Sequence, residues 1–366
     1  MTVLQNKKQK KALSVIVCTR NRAKQLTTLL QCLGTQRDLE DLTWEIVIVD
    51  NNSEDNTKEV AYAFCEGSNL KVNYVLESKL GSSYARNSGI LASKGTFLLF
   101  LDDDVLIPND FISNALMGIQ EFEEFDIFGF RILPDWHEVI KQPFWLTFGK
   151  PFNLIQSFLP VHDLGVEPLR YPNRITKNPI SASFLAKKEV FEKTGPFRED
   201  LGVNKSGQCE DTEFFWYAMI NRYKILYWPY ATLYHTVNPD RLSVKYLHKW
   251  YFNLGKSLYL VKNTGRIFNL RKKPLVGIEG YVANKMPKIF RKVLLDIKIF
   301  NVSLFLWIKF ICLILLLQLS ILLVFIKRSF FITTNIAKTL VTTNIAKTLG
   351  EVKESLRNGS RASTTK

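Results

Sequence analysis

The chain has 366 residues, 46% of them hydrophobic and 23% charged, which suffices for a sizeable core and excludes a disordered polyelectrolyte. Its net charge of +15 is concentrated in residues 241–366, which hold 23 basic and 4 acidic side chains, whereas residues 1–240 carry a net charge of −4. A nucleic-acid reader is expected to be basic on its folded domain, so this distribution argues against a nucleic-acid partner and favours anionic membrane lipid.

The N-terminal residues and the cysteines indicate the compartment. Residues 1–12 are predicted to form a basic tail, and they lack the features of a secretory signal peptide. The five cysteines are scattered and form no C-x-x-C pair, which argues against a disulfide scaffold or a cysteine zinc site and fits a reducing compartment.

Strand and helix signals alternate through residues 13–262, which we take as the main domain. Short, continuously apolar runs predict buried parallel strands at 13–19, 44–49, 71–76 and 96–101. Spacing and capping signals predict helices at 24–33, 55–66 and 82–93, and another that starts at Pro108. The expected fold is therefore α/β, with a mostly parallel, Rossmann-type sheet flanked by helices. Ligands bind beyond the carboxyl ends of such strands, so we expect the polar clusters at 19–22, 50–55 and 102–104 to share one site.

The C-terminal third contains one long apolar segment, residues 302–326, with a single charged side chain. About 20 apolar residues cross a bilayer as a helix, so the segment is predicted to be a transmembrane or membrane-embedded helix. A hairpin, a helix in the membrane plane and a buried core helix are the alternatives. Residues 263–301 read as a basic amphipathic linker, and residues 327–366 as a polar basic tail in which TTNIAKTL occurs twice, nine residues apart.

Three adjacent carboxylates, Asp102, Asp103 and Asp104, follow the fourth predicted strand. Burial and mutual repulsion would raise their pKa values, and a bound divalent cation removes that penalty. Carboxylate oxygens suit Mg²⁺ or Mn²⁺, which favours a metal site. A solvated acidic turn that caps the helix at Pro108 is the alternative.

No glycine-rich phosphate loop follows the first strand, because Thr19, Arg20, Asn21 and Arg22 occupy its place. This weighs against a dinucleotide dehydrogenase and a nucleoside triphosphatase. Arg20, Arg22 and Arg86 are candidates to contact phosphate or a base, although each could equally be a solvated surface arginine.

A second acidic cluster, Glu210, Asp211 and Glu213, begins a predicted amphipathic helix. Acids in a first turn complement the helix dipole, and a carboxylate that faces a metal-nucleotide cleft can act as a general base; both interpretations stay open. His235 ends a strand-like run at 230–234 and could complete a metal site or simply be packed in the core.

Taken in order, these segments resemble the inverting family 2 glycosyltransferases of the GT-A fold, over about residues 13–263. The segments that carry the resemblance read SVIVCTRNRAKQLTTLL, EIVIVDNNSEDNT, GSSYARNSGILASKGTFLLFLDDDV, SASFLAKKEVFEKTGPFRED, GQCEDTEFFWYAM and ATLYHTV. The resemblance implies donor-binding roles for Thr19, Arg20, Arg22, Asp50, Arg86, Asp102 and Asp103. It also implies a D-x-D metal site with ligands Asp104, Asp102 and His235, and an E-D motif, Glu210 and Asp211, with Asp211 as the base.

One departure concerns the loop before the base. The family often reads G-E-D, whereas Gln208 and Cys209 separate Gly207 from Glu210 here, so this loop is expected to differ. Residues 130–178 match the family poorly and are aromatic and proline-rich; an acceptor lid, a membrane-facing loop and a surface-packed insertion are all open.

The resemblance implies transfer of a sugar from a UDP- or GDP-sugar to a hydroxyl of a carbohydrate or lipid-linked acceptor, with Mn²⁺ or Mg²⁺, in polysaccharide or glycolipid synthesis. We expect a membrane-anchored enzyme whose catalytic domain is cytoplasmic. A non-catalytic membrane scaffold with a degenerate transferase fold is one alternative. A sugar-phosphate nucleotidyltransferase is another, although its expected glycine-rich loop is missing.

Overall fold

A computed structural model of the chain describes residues 12–40, 42–139, 158–171 and 178–269. Within these ranges nine strands form one sheet. The strands are β1 (Ala12–Thr19), β2 (Thr43–Asp50), β3 (Val72–Leu76), β4 (Phe97–Asp102), β5 (Val105–Leu106), β6 (Ile127–Asp135), β7 (Leu169–Arg170), β8 (Ser183–Lys187) and β9 (Ile225–Thr236). The α-helices of the described ranges are α1 (Ala23–Gly34), α2 (Thr57–Gly67), α3 (Ser82–Ala92), α4 (Phe111–Glu121), α5 (Lys188–Thr194), α6 (Glu210–Ile220), α7 (Val244–Asn263) and α8 (Gly265–Asn269).

The strand order is β3-β2-β1-β4-β8-β6-β9-β5, with β7 paired to β9. The four strands predicted from apolar runs are confirmed, and they are neighbours that run parallel. Six of the nine strands run in one direction, as expected for a mostly parallel sheet: β9 is parallel to β6, and both run with β1–β4 because β8 is antiparallel to β4 and to β6. The exceptions are β8 itself and the short strands β5 and β7, which run antiparallel to β9. The sheet is mixed.

The core lies on both faces of this sheet. Val15 and Val17 of β1 belong to a cluster that also contains the apolar side chains of α1, α2 and α4. Ile16, between them, belongs to a second cluster with α3, α5 and α6. Successive side chains of a strand point to opposite faces, so one continuously apolar strand serves both layers.

Two predicted helix starts differ from the structure. The helix expected at Pro108 begins at Phe111. The helix expected from Asp55 begins at Thr57, although the Asp55 carboxylate still accepts hydrogen bonds from the backbone N–H groups of Thr57 and Ala23, both at 3.1 Å. Asp55 therefore ties the starts of α1 and α2 together beside the first two strand ends.

Several sequence-based assignments lie outside the described residues. They include the apolar segment 302–326, the tail 327–366, most of the linker 263–301, and residues 140–157 and 172–177 of the poorly matching region. Among the helices of the described ranges, none combines the length and the apolarity that crossing a membrane requires.

Candidate active site

A cleft of about 1230 Å³ opens at the carboxyl ends of the parallel strands. Thr19 at the end of β1 is in register with Asp50 of β2, and Cys18 with Asp102 of β4. The predicted polar clusters after β1 and β4 both line the cleft, and the segment 203–212, which includes Glu210 and the start of α6, lines another part of it. The sheet therefore brings residues from distant parts of the sequence into one cavity.

Three potential metal ligands converge in this cleft. One oxygen each from Asp102 and Asp104 and one ring nitrogen of His235 lie within 4.8 Å of one another. Asp102 ends β4, whereas His235 lies on β9 in register with Val105, one residue after Asp104. Two carboxylates and an imidazole form a donor set that suits Mn²⁺ or Mg²⁺.

The surroundings of His235 fit the same interpretation. Its Nδ1 lies 3.0 Å from the carbonyl oxygen of Thr236, and since a carbonyl only accepts, Nδ1 carries the proton. Nε2 then faces the buried Asp104 carboxylate, 3.0 Å from Oδ1. Burial alone would lower the pKa of His235, but the adjacent Asp104 carboxylate outweighs burial and raises it. The raised pKa favours a protonated ring whose Nε2–H pairs with Asp104. A divalent cation held by Asp104 and His235 would take the place of that proton.

Arg22 holds the remaining parts of the aspartate cluster. Its guanidinium donates to Asp103 Oδ1 at 2.6 Å and to Asp104 Oδ2 at 2.9 Å. Burial raises the pKa of Asp103 to about 6, although Arg22 opposes this. For Asp104, burial is outweighed by His235, Arg22 and Arg241, which together hold its pKa well below the usual range. Asp104 therefore stays ionised, as a metal ligand must.

Arg86 links the aspartate cluster to the start of α6. Its buried guanidinium donates to Glu210 Oε1 at 2.7 Å, to the Ser181 hydroxyl at 3.1 Å and to Asp102 Oδ1 at 3.4 Å. The Ser82 hydroxyl also donates to Glu210 Oε1, at 2.9 Å. Glu210 is thus neutralised by an ion pair and held by two donors.

Asp211 differs from its neighbour because it has no ion-pair partner in the described part of the chain. Its carboxylate accepts hydrogen bonds from the backbone N–H of Ser181, at 3.1 Å, and of Thr212, at 2.6 Å. Burial, and then the charge of Glu210, raise the pKa of Asp211. A cleft carboxylate with a raised pKa and no counter-ion is chemically suited to accept a proton.

The loop before Glu210 contains a strained residue. Cys209, the residue immediately before α6, has φ 71, a left-handed conformation that costs an ordinary residue about 1–2 kcal/mol and that glycine adopts freely. Cys209 therefore has the backbone conformation that the glycine of a G-E-D sequence would readily adopt.

The other predicted donor-binding residues divide into two groups. Thr19 and Arg20 line the cleft, and the buried Nε of Arg20 has no hydrogen-bond partner among the described residues. Asp50 is not among the lining residues; it is buried, and its two oxygens accept from Ser53 N–H and the Tyr74 hydroxyl, both at 2.8 Å. Asp50 therefore organises the turn after β2.

Sequence reasoning did not single out several residues of the cleft. Ser82 and Ser181 act on Glu210, Asp211 and Arg86 as described above, and serines carry no signal of their own in a single sequence. Arg241 and Lys249 also line the cleft. Arg241 could have been noted as a basic residue shortly after a candidate metal histidine. Lys249 falls within the predicted main domain, 13–262, but no motif marks it.

Comparisons with known proteins agree with this architecture. Residues 14–193 match the family model described as Glycosyl transferase family 2. Poly(ribitol-phosphate) beta-N-acetylglucosaminyltransferase TarS of Staphylococcus aureus is 34% identical over 108 residues, which are 30% of this chain and only 19% of TarS. The succinoglycan biosynthesis protein ExoM of Rhizobium meliloti is 26% identical over 66% of this chain and 72% of ExoM. The mannosyltransferase PcManGT of Pyrobaculum calidifontis, solved with GDP-Man and Mn²⁺, matches with a TM-score of 0.51 and 20% identity, over 73% of this chain and 67% of that chain, and shows the shared GT-A fold.

Proposed function

We propose that this chain, whose residues 14–193 match the Glycosyl transferase family 2 model, transfers a sugar from a nucleotide-sugar donor to a hydroxyl group of an acceptor, with inversion at the anomeric carbon. The observation that carries the proposal is one cleft that holds both a divalent-metal ligand set and an unpaired carboxylate, Asp211. A UDP- or GDP-sugar is the proposed donor, and polysaccharide or glycolipid synthesis the proposed setting. Relatives named for such syntheses support this choice.

Asp211 is the proposed general base. The attacking hydroxyl loses its proton as it bonds to the anomeric carbon, and a carboxylate within reach can accept it. Glu210 is a poorer candidate because Arg86 and Ser82 already occupy its carboxylate. We assign Glu210 the task of fixing Arg86 and the first turn of α6, which in turn orients Asp211.

Asp102, Asp104 and His235 are the proposed ligands of Mn²⁺ or Mg²⁺. When bound there, a divalent cation neutralises charge on the leaving nucleoside diphosphate. Arg22 keeps Asp103 and Asp104 oriented toward the ligand cluster. Arg20 has an unsatisfied, buried Nε in the same cleft, so we propose that it contacts the donor.

Membrane anchoring through residues 302–326, with the catalytic domain in the cytoplasm, remains a proposal that rests on the sequence. The full chain should stay with membranes after an alkaline carbonate wash, whereas a chain that ends at residue 301 should be released. Recovery of the full chain in the supernatant would contradict the anchor.

The catalytic proposal is tested with Asp211→Asn, which keeps the size of the side chain and one acceptor oxygen but cannot take a proton. Calorimetry with UDP and GDP, each with and without Mn²⁺, first identifies the nucleotide; we expect one of them to bind tightly only with the metal. Asp211→Asn should then lower sugar transfer by about 10²–10⁴-fold while the dissociation constant of that nucleotide stays nearly unchanged.

Glu210→Gln serves as the comparison, because it weakens the contact with Arg86 but leaves the proposed base intact. It should destabilise the fold and reduce transfer less than Asp211→Asn does. Full transfer activity in Asp211→Asn would rule out Asp211 as the base, and an inactive Glu210→Gln beside an active Asp211→Asn would exchange the two roles.

A further inference from the structure

One end of the cleft is bounded by α7. Residues at helical spacing on a single face of this helix line the cavity, namely Tyr246, Lys249, Trp250, Asn253 and Leu254. Two of them, Tyr246 and Trp250, also pack against an apolar cluster built from Phe158, Leu159, Val161 and Val237. This end of the cleft is therefore bounded by the packed aromatic side chains of α7, whereas the candidate metal ligands lie on a separate, acidic wall.

Two basic side chains line the cleft near this wall, Arg241 shortly before α7 and Lys249 on it. Among the described residues, neither the half-buried Arg241 nor the exposed Lys249 uses its side chain in a hydrogen bond or an ion pair. Arg22 and Arg86, on the acidic wall, are by contrast held by two carboxylates each. A partly desolvated guanidinium without a partner is unfavourable unless an anion joins it.

The cleft lining keeps one net positive charge when a donor and a divalent cation are both bound, which favours binding of a further anion. Six basic and five acidic side chains line the cleft. A divalent cation and the two negative charges of a nucleotide-sugar diphosphate cancel each other, so the loaded cleft keeps a positive excess. Arg241 acts electrostatically on Asp104 and so lies toward the metal ligands, and Lys249 extends the positive charge along α7.

We propose that Arg241 and Lys249 bind a phosphate group carried by the acceptor. The sugar would then be transferred to a phosphorylated substrate whose reacting hydroxyl reaches Asp211 while its phosphate contacts α7. Asp211 and Lys249 line the same cavity, so one molecule can occupy both ends. The inference rests on the proposed transferase function, because it defines the class of the second substrate.

The experiment uses the full chain saturated with Mn²⁺ and whichever of UDP and GDP binds. With the nucleoside diphosphate in place, glycerol 3-phosphate and uncharged glycerol are titrated by calorimetry. Glycerol 3-phosphate should bind at least about tenfold more tightly than glycerol. Lys249→Met and Arg241→Gln should each reduce this preference by about threefold to tenfold.

Lys245→Met is the matched control. Lys245 is an exposed lysine on the same helix and does not line the cleft, so the same charge is removed away from the proposed phosphate site. It should leave the preference for glycerol 3-phosphate unchanged. An equal loss in Lys245→Met and Lys249→Met would mean that only the general charge of α7 matters, and it would overturn the proposal.

Two further results separate this inference from the function on which it rests. If UDP and GDP both fail to bind the wild-type protein with Mn²⁺, the proposed function fails, and the inference fails with it. If a nucleotide binds but Lys249→Met and Arg241→Gln weaken it instead of glycerol 3-phosphate, both cations serve the donor and only the inference is wrong. Geranyl diphosphate is titrated in parallel: tighter binding of this probe identifies a lipid carrier as the source of the phosphate, and tighter binding of glycerol 3-phosphate identifies a polyol phosphate.

Discussion

Arg266 of α8 makes a buried ion pair with Glu213, one turn after the E-D motif on α6. The pair is bidentate: Arg266 Nε donates to Glu213 Oε1 at 3.0 Å, and a terminal nitrogen donates to Oε2 at 2.8 Å. The Glu213 side chain is 0% exposed. The guanidinium also donates to the carbonyl oxygen of Thr194 and lies 4.3 Å from the ring centre of Tyr217. The helix with the proposed base, α6, is therefore anchored to α8.

Arg266→Met should destabilise the fold strongly. Removing one partner of a buried pair leaves an uncompensated buried charge, which typically costs about 3–5 kcal/mol. The stacking on Tyr217 adds about 0.5–1 kcal/mol, part of which methionine retains. Since whole domains are stable by only about 5–15 kcal/mol, the loss would be a large fraction of the total. The double variant Glu213→Gln, Arg266→Met removes both charges and should recover much of the loss.

The measurement is urea denaturation of wild type, Arg266→Met, the double variant and Lys193→Met. Lys193 forms an exposed ion pair with Glu189 on α5, so its replacement should have no measurable effect. If Arg266→Met were as stable as Lys193→Met, or the double variant less stable than Arg266→Met, the ion pair would not be the anchor we infer. A chain that ends at residue 262 loses Arg266 and should show the same instability, whereas one that ends at residue 269 should not.

Three further predictions concern the metal cluster and the loop before α6. His235→Ala should abolish the rise in melting temperature that Mn²⁺ produces with the bound nucleotide, and an unchanged rise would exclude His235 as a ligand. Burial raises the pKa of Asp103 to about 6, so the folded protein holds this proton more tightly than the unfolded chain and loses stability as pH rises from about 4 through 6. Asparagine is uncharged, like the protonated Asp103. Without metal, the free energy of unfolding of Asp103→Asn should therefore exceed that of wild type by at least about 1 kcal/mol at pH 7.5 and by much less at pH 4.5, as measured by thermal unfolding. Cys209→Gly and Cys209→Ala lose the same sulfur, but only glycine relieves the left-handed backbone, so urea denaturation should find Cys209→Gly the more stable of the two.

The first half of the sheet is predictable because burial dictates its sequence. Strands covered by helices on both faces must be apolar at every position, and such runs are visible without knowledge of partners. The strand β9 was predicted only in part, as a run at 230–234, whereas it extends over Ile225–Thr236. Pro229 interrupts its pattern, and the ladder between β6 and β9 shifts register there, after Phe130 and Trp228. Proline has no N–H group to donate to the ladder, so Pro229 interrupts the strand pattern in the sequence and the hydrogen-bond pairing in the sheet.

The sequence predicted which types of residue form the candidate site and at which strand ends they lie. It did not predict which of these side chains bond to one another. Adjacent parallel strands have their carboxyl ends at the same edge, so the basic residues after β1 and the acids after β4 had to meet. The hydrogen bond between Arg86 and Glu210 spans 124 residues, and that between Ser181 and Asp211 spans 30. Which side chains pair at such separations depends on how α3 and α6 pack, and a single sequence contains no record of that packing.

The structure also explains how a G-E-D position tolerates a residue other than glycine. Cys209 holds a strained backbone, and the preceding Gln208 is tied to α7: its N–H donates to the Ser257 hydroxyl at 3.2 Å and its side-chain amide to the Trp250 carbonyl oxygen at 3.0 Å. Arg266 holds the same helix α6 one turn further on. A strained backbone conformation persists only where several surrounding contacts hold it, and here α7 and α8 supply those contacts. The position of the proposed base therefore depends on residues 244–269, which include the first residues of the predicted linker 263–301.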